Sequence, residues 1–400
     1  MPKHRQPFKW MCAIGIMGMV SFAVGIDTLA AQAQGELHGG VTVLTVPSAE
    51  AQLPLDIDFV NAQALELPIA PSRSEAERQT DMIETLLSPP FLGVPGYAPG
   101  EAGDGTSTLI MLGVPRVSTT HAAPPAGDVT SQAFGTDTHP FSTAQADLSS
   151  PTNTDYPYRA SGKLFFNIGT STYACSASLI KRGVVVTAAH CVAEFGQGQS
   201  YANWHFVPGY RNGDAPYGVW TVHTVAVPTT YDDGTGPCAV AGVVCQDDVA
   251  VLLLHPSTTG AYPGTSTGWY GYGYDGYGFT GSGTTQIAQL GYPGCLDNGV
   301  YMERNDSYGY QSASNANNTI IGSLMCEGSS GGPWLVNFGI RPTLTGTTAG
   351  TAPASNMVVG VTSWGSTSTG PKTQGASPFL STNIVPLVNA VCTAVPAACS

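Results

Sequence analysis

The sequence predicts an all-β, turn-rich fold, and three observations carry that prediction. Gly (49) and Pro (30) are abundant, Lys, Arg, Asp and Glu make up only 10% of the 400 residues, and from Tyr156 onward short apolar runs alternate with Gly, Pro, Asn and Ser clusters. Glycine and proline spoil helix interiors but punctuate short strands. The runs cover 163–168, 173–180, 184–188, 219–227, 249–254, 286–290 and 357–363. Runs of about four to eight residues between turn clusters mark a β-sandwich or barrel. No βαβ rhythm is present. Gly271 to Gly276 satisfies GxGxxG, but it lies in a Tyr/Gly tract with no helical pattern after it, so it reads as turn chemistry and not as a dinucleotide site.

The chain divides into three regions. Lys3, Arg5 and Lys9 precede an apolar run from Met11 to Ile26, and Ala31-Gln32-Ala33 follows. This is the pattern of a secretory signal peptide, residues 1–33, cut after Ala33. The run is shorter than the roughly 20 residues that span a bilayer, and no other stretch approaches that length, so an exported protein without a membrane anchor is expected, in the medium or the periplasm. Cys12 falls inside the signal, which leaves eight cysteines.

Residues 34–155 hold fifteen Asp or Glu against three Arg, with no Lys and no Cys, a net charge of −12. Scattered prolines and high charge argue against a core of its own, and a largely disordered leader is expected, either a pro-segment or a spacer. One helix is predicted in it: Ser74 and Glu77 form a capping box, Met82, Ile83, Leu86 and Leu87 share a face, and Pro89-Pro90 ends it. Residues 156–400 form the β-rich domain. The chain's overall charge of −13 makes nucleic acid an unsuitable partner.

Three local sequences carry chemistry. Val184-Val185-Val186-Thr187-Ala188-Ala189-His190-Cys191 is a β-branched strand that ends on small residues, a histidine and a cysteine. Asp247-Asp248-Val249-Ala250-Val251-Leu252-Leu253-Leu254 places a carboxylate at the mouth of a buried strand. Cys326-Glu327-Gly328-Ser329-Ser330-Gly331-Gly332-Pro333 sets a serine in a glycine-flanked turn. Acyl transfer needs a nucleophile, a base, a group that orients the base, and donors for the oxyanion. Each segment alone is weak, since a histidine, a strand-end aspartate or a Gly-Ser loop is most often structural. Their order and contexts together point to peptide-bond hydrolysis. The sequence physics leaves Asp247 and Asp248 level.

These segments resemble the active-site motifs of chymotrypsin-like serine peptidases, and the resemblance covers about residues 156–390. It implies two six-stranded antiparallel β-barrels with the active site in the cleft between them, His190 and Asp248 on the first and Ser330 on the second. It favours Asp248 over Asp247 and makes Gly328 and Ser330 the oxyanion donors. Ser363-Trp364-Gly365 resembles the segment that pairs with extended substrate, and Cys175 to Cys191 resembles the bridge beside the catalytic histidine. Local closure suggests the further bridges Cys238 to Cys245, Cys295 to Cys326 and Cys392 to Cys399, although connectivity is not fixed by sequence. The Tyr156-Pro157-Tyr158 opening and Gly162 to Phe166 are most similar to the bacterial glutamyl endopeptidase-like branch.

The chain departs from the family at three places. Ser329 stands where trypsin-like members carry an aspartate for a new amino terminus, and Leu324 stands where they carry an acidic pocket floor. Thr362 replaces the histidine that the glutamyl branch uses. With Leu324 and Thr362 lining the pocket, an uncharged residue on the acyl side is expected. Protein or peptide substrates, no cofactor, no metal and a monomeric chain complete the reading; neither HExxH nor CxxC occurs. The alternative is a catalytically silent binding protein on the same fold that uses the aromatic tract from Trp269 to Phe279 as its surface.

Overall fold

Twelve strands build two barrels in the computed structural model. It describes residues 36–38, 40–46, 57–70, 76, 80, 93–116, 139–146, 152–236, 243–244, 246–312, 318–339, 352, 354–366 and 372–400. The expected signal peptide, Cys238, Cys245 and most of the predicted helix at 74–89 lie outside these residues. Ala76 and Thr80 are helical, and the Thr80 hydroxyl donates to Ala76 O.

The first barrel consists of β1 (Ser161–Ile168), β2 (Ser171–Lys181), β3 (Val184–Thr187), β4 (Ala202–Pro208), β5 (Trp220–Pro228) and β6 (Ala250–Leu254). Its antiparallel ladder runs β1-β2-β3-β6-β5-β4 and closes back on β1. The second consists of β7 (Thr284–Gly291), β8 (Glu303–Gln311), β9 (Thr319–Gly322), β10 (Pro333–Val336), β11 (Met357–Ser366) and β12 (Thr373–Pro378). The same order recurs, β7-β8-β9-β12-β11-β10, closing on β7.

Closure explains the continuous apolar runs. β3 and β6 are buried on both faces, because one face fills the barrel and the other packs beneath neighbouring structure. Leu164, Phe166, Leu179, Val185, Phe206 and Leu252 fill the first interior, and Ile287, Ile321, Trp334 and Met357 the second. The helix Ile384–Ala394 then returns from the second barrel to pack on β5 and β6 of the first. Its buried residues Ile384, Leu387, Val388 and Val391 fall on one helical stripe, Asn383 caps it, and a bridge ties its Cys392 to Cys399 beyond its end.

Among the described residues of the leader, three segments form strands that pair with strands of the barrels or with the tract between them. Val41–Thr45 pairs with β5, Phe141–Gln145 pairs with β8, and Gly96–Ala98 pairs with Gly271–Tyr274. Val41, Leu44, Ile57 and Phe141 are buried in the process. Composition tests for a self-sufficient core and misses a segment whose apolar partners lie elsewhere in the chain. The aromatic tract is likewise no exposed platform, since Trp269, Tyr270, Tyr272 and Tyr277 are all buried.

Candidate active site

β3 ends on Thr187, and the small Ala188 and Ala189 allow a tight 3-10 turn that holds His190 at the barrel rim. Cys191 in the same turn is bridged to Cys175 of β2, with Cα atoms 6.3 Å apart. Asp248 lies just before β6, beside β3 in the ladder, and is 2% exposed. One carboxylate oxygen accepts the His190 backbone N–H at 2.9 Å, and the other meets His190 Nδ1 at 2.8 Å and accepts the Ser363 hydroxyl at 2.5 Å. Three contacts thus fix the carboxylate, and the carboxylate fixes the ring. Asp247 turns elsewhere and accepts from the Thr230 hydroxyl.

Ser330 lies in the turn before β10. Glycines shape that turn: Gly328 has φ +84°, and a Cβ there would meet Tyr292 O at 2.7 Å. Gly331 has φ +75°, and a Cβ on it would overlap Thr187 Oγ1 and press on Ala188 N. The serine turn is therefore packed directly on the residues that lead into His190, which requires glycine at that position. Ser330 Oγ and His190 Nε2 are both buried and both lack a hydrogen-bond partner. Sequence reasoning missed Ser176, which braces the turn from β2. Its N–H donates to Ser330 O at 2.8 Å, its hydroxyl donates to Gly328 O at 2.9 Å, and it accepts from Tyr292 N at 2.9 Å. A lone serine in a strand carries no signal that would have revealed this.

Behind the turn a neutral polar network occupies the interior. Gln289 Nε2 donates to Thr362 Oγ1 (2.9 Å) and Gln374 Oε1 (2.6 Å), while Gln374 Nε2 donates to Ser329 Oγ (3.1 Å). Ser329 in turn donates to Cys326 O, and Ser323 donates to Gln289 Oε1. Ser329 is thus anchored by an amide and not by an ammonium. Thr362 is fully buried, and its hydroxyl also accepts from Trp334 Nε1, so it does not line the pocket as expected. Ser363 and Trp364 are buried as well: the first serves Asp248 through its hydroxyl, and the second donates to Asn318 Oδ1.

The pocket beside the serine turn has a volume of about 560 Å³ and is lined by Ser323, Leu324, Met325, Glu327, Gly365 and Lys372, among others. The Cys295–Cys326 bridge forms part of its wall. Lys372 was not foreseen, because it lies on the far side of β11 in sequence and reaches the pocket only through the β11–β12 pairing. It is exposed at the rim. A second cavity of about 170 Å³ adjoins His190 and Asp248 and is lined by Phe195, Tyr201, Tyr231 and Val244.

The leader crosses this cleft. Gln63 and Ala64 pair in parallel with Tyr173 and Ala174 of β2, and Leu65 N donates to Ala174 O at 2.9 Å. Gly328 N–H donates to Leu65 O at 2.9 Å, and Gly365 N–H donates to Pro68 O at 3.1 Å. Ile69 and Ala70 then pair in parallel with Gly365 and Ser366. Glu66, Leu67 and Ile69 line the larger cavity, and Pro68 lines the smaller.

Residues 149–384 match the trypsin family. The extracellular metalloprotease of Bacillus subtilis (strain 168) is 32% identical over 122 residues, which is 30% of this chain and 34% of that protein. The chain therefore matches about a third of that relative's length. Among solved structures, protease Anisep from Arthrobacter nicotinovorans is 25% identical, with 60% of this chain and 95% of that one covered and a TM-score of 0.44. The thermostable serine protease AL20 from an extremophilic microorganism is 22% identical, with 59% and 97% covered and a TM-score of 0.46. A Glu endopeptidase in complex with MPD is 18% identical, with 66% and 98% covered and a TM-score of 0.43. Among the described residues, two groups could offer three metal-ligating atoms, Cys175, His190 and Cys191, and Cys295, Cys326 and Glu327. Each contains a disulfide pair, whose sulfurs are not thiolates.

Proposed function

The chain belongs to the trypsin family, and on that premise we propose that it is an exported serine endopeptidase acting through an acyl-enzyme. Ser330 Oγ attacks the scissile carbonyl carbon while His190 Nε2 takes the hydroxyl proton. Asp248, on Nδ1, holds the tautomer that leaves Nε2 free to accept and stabilises the imidazolium that forms. The backbone N–H groups of Gly328 and Ser330 stabilise the oxyanion. The imidazolium then protonates the leaving amine, and water repeats the sequence in reverse on the ester. One observation carries this reading: Asp248 is held by His190 N–H, His190 Nδ1 and the Ser363 hydroxyl, while the two atoms that must exchange a proton, Ser330 Oγ and His190 Nε2, are buried and unpartnered.

Residues 34–155 are the pro-segment of this enzyme and are removed between Arg116 and Tyr156 after export. Protein and peptide chains are the substrates, recognised by strand addition along Gly365 with one side chain in the pocket floored by Leu324. A fluorophosphonate probe applied to the secreted protein tests the reading. Covalent label on Ser330, with an amino terminus between 116 and 156, is the expected result. An unlabelled protein, or full activity in a chain that still begins near Gln34, overturns the corresponding part.

A further inference from the structure

We propose that the leader segment Ala64–Ala70 is a ligand of the cleft seated with reversed chain polarity, so that it fills the active site without being a substrate; this rests on the peptidase reading above. Hydrolysis fixes a direction. The carbonyl at the oxyanion donors has an acyl-side Cα on one flank and an amide nitrogen on the other, and that nitrogen must face His190 to receive its proton. The acyl side then runs along Gly365 and its pocket. The leaving side runs out past the Cys175–Cys191 bridge.

The leader does the opposite. The carbonyl at Gly328 N–H is that of Leu65, at 2.9 Å. Its N-terminal neighbours Gln63 and Ala64 pair with Tyr173 and Ala174, adjoining Cys175 on the leaving side. Its C-terminal neighbours run to Gly365, where Pro68 O accepts at 3.1 Å and Ile69 and Ala70 continue the ladder in parallel. The amide nitrogen of Glu66 therefore heads towards Gly365 and away from the flank on which a leaving amine is protonated. Both sheet edges of the cleft are satisfied by main-chain hydrogen bonds, as in productive strand addition, yet no bond is presented for attack.

The fit is specific in side chains. Ala64 Cβ lies 3.1 Å from the place a Cβ on Gly328 would take and 2.9 Å from that on Gly294, so the leader backs closely onto both glycines. Leu67 meets Gly365 in the pocket wall, and Pro68, which has no N–H, sits in the cavity beside His190. The ligand class is an extended peptide, apolar apart from one carboxylate, with a small residue before the carbonyl at Gly328 and a proline three residues after it.

The test uses the full chain. Ala64→Arg and Leu65→Pro, the second removing the N–H bonded to Ala174 O, are compared with the native chain for the rate of fluorophosphonate labelling, with Ser330→Ala as blank. At least tenfold faster labelling of either variant is expected. In parallel, the native chain is incubated until processing ends, and its fragments are mapped by mass spectrometry. No cut between Gln63 and Ala70 is expected in the segment while it is bound. Equal labelling of native chain and variants, or a cut at Leu65–Glu66 or Glu66–Leu67, overturns the reversed seating and leaves the peptidase reading standing. Absence of label on every chain overturns both.

Discussion

The backbone N–H of Ser176 donates to the carbonyl of Ser330 across the barrel interface, at 2.8 Å. The Ser330 turn of the second barrel thus hangs from β2 of the first, and the Ser176 hydroxyl adds ties to Gly328 O and Tyr292 N. Ser176→Ala leaves two buried backbone groups unpaired, a loss of about 1–3 kcal/mol. If the brace sets the oxyanion donors, kcat falls about tenfold, equivalent to about 1.4 kcal/mol, with KM little changed. Urea unfolding and steady-state kinetics measure the two effects. Lost stability with native kcat would show a tie that matters to folding alone.

Ser330→Ala is expected to fold normally and to lose at least about three orders of magnitude in turnover, because oxyanion donors and binding supply only residual catalysis. His190→Ala should lose a similar amount, and the double variant little more, since the two residues act as a unit. Near-native turnover in either single variant would refute the assignment.

Burial, with the neighbouring Asp297 carboxyl adding to it, pushes Glu303 up to about 8 from 4.5. The folded chain therefore keeps a proton that the unfolded chain releases. The stability this confers is complete below pH 4.5 and disappears as pH rises through about 8. Glu303→Gln, which stays neutral, should match the native chain at pH 4 and exceed its stability by about 1–3 kcal/mol at pH 9. Denaturant melts at the two pH values decide it, and a pH-independent difference would contradict the retained proton.

Cleavage after Lys or Arg should be poor, with uncharged residues favoured. Leu324 gives a cation no partner, at a desolvation cost of several kcal/mol, and the charge of half-buried Glu327 in the lining is opposed by that of Lys372 at the rim. An acidic side chain gains little from Lys372, whose exposed charge is screened by solvent. Peptide-library profiling checks this, and dominant cleavage after Arg, Lys or Glu would sink it. Leu324→Asp should raise cleavage after Arg by at least about tenfold, about 1.4 kcal/mol.

The two barrels and the segments bearing His190, Asp248 and Ser330 were legible because each is a contiguous pattern: an apolar run, a small-residue turn, a glycine pair. What escaped depends on pairing between distant strands. Thr362 precedes the Ser363-Trp364-Gly365 strand and was expected to point into the pocket, but Gln289 and Trp334 claim its hydroxyl from inside. Lys372 enters the pocket only because β12 lies beside β11. The leader strands were invisible for a related reason: Val41 finds its partner at Pro228 and Phe141 finds its partner at Ser307, far beyond any window of local periodicity.

On the proposed removal of the leader, its attachment to both barrels separates cutting from release. Val41–Thr45 is held by β5 of the first barrel and Phe141–Gln145 by β8 of the second, so a single nick between them would sever the chain while both pieces stay docked. Burying residues of the severed piece such as Val41 and Leu44 contributes about 1.5–3 kcal/mol each at most. That is enough for a nicked complex to persist. Onset of activity would then follow a dissociation rate and not a bond-cleavage rate, and in a closed vessel it would depend on dilution: concentrated enzyme would remain silent after being cut, and the same preparation would wake when spread into a larger volume.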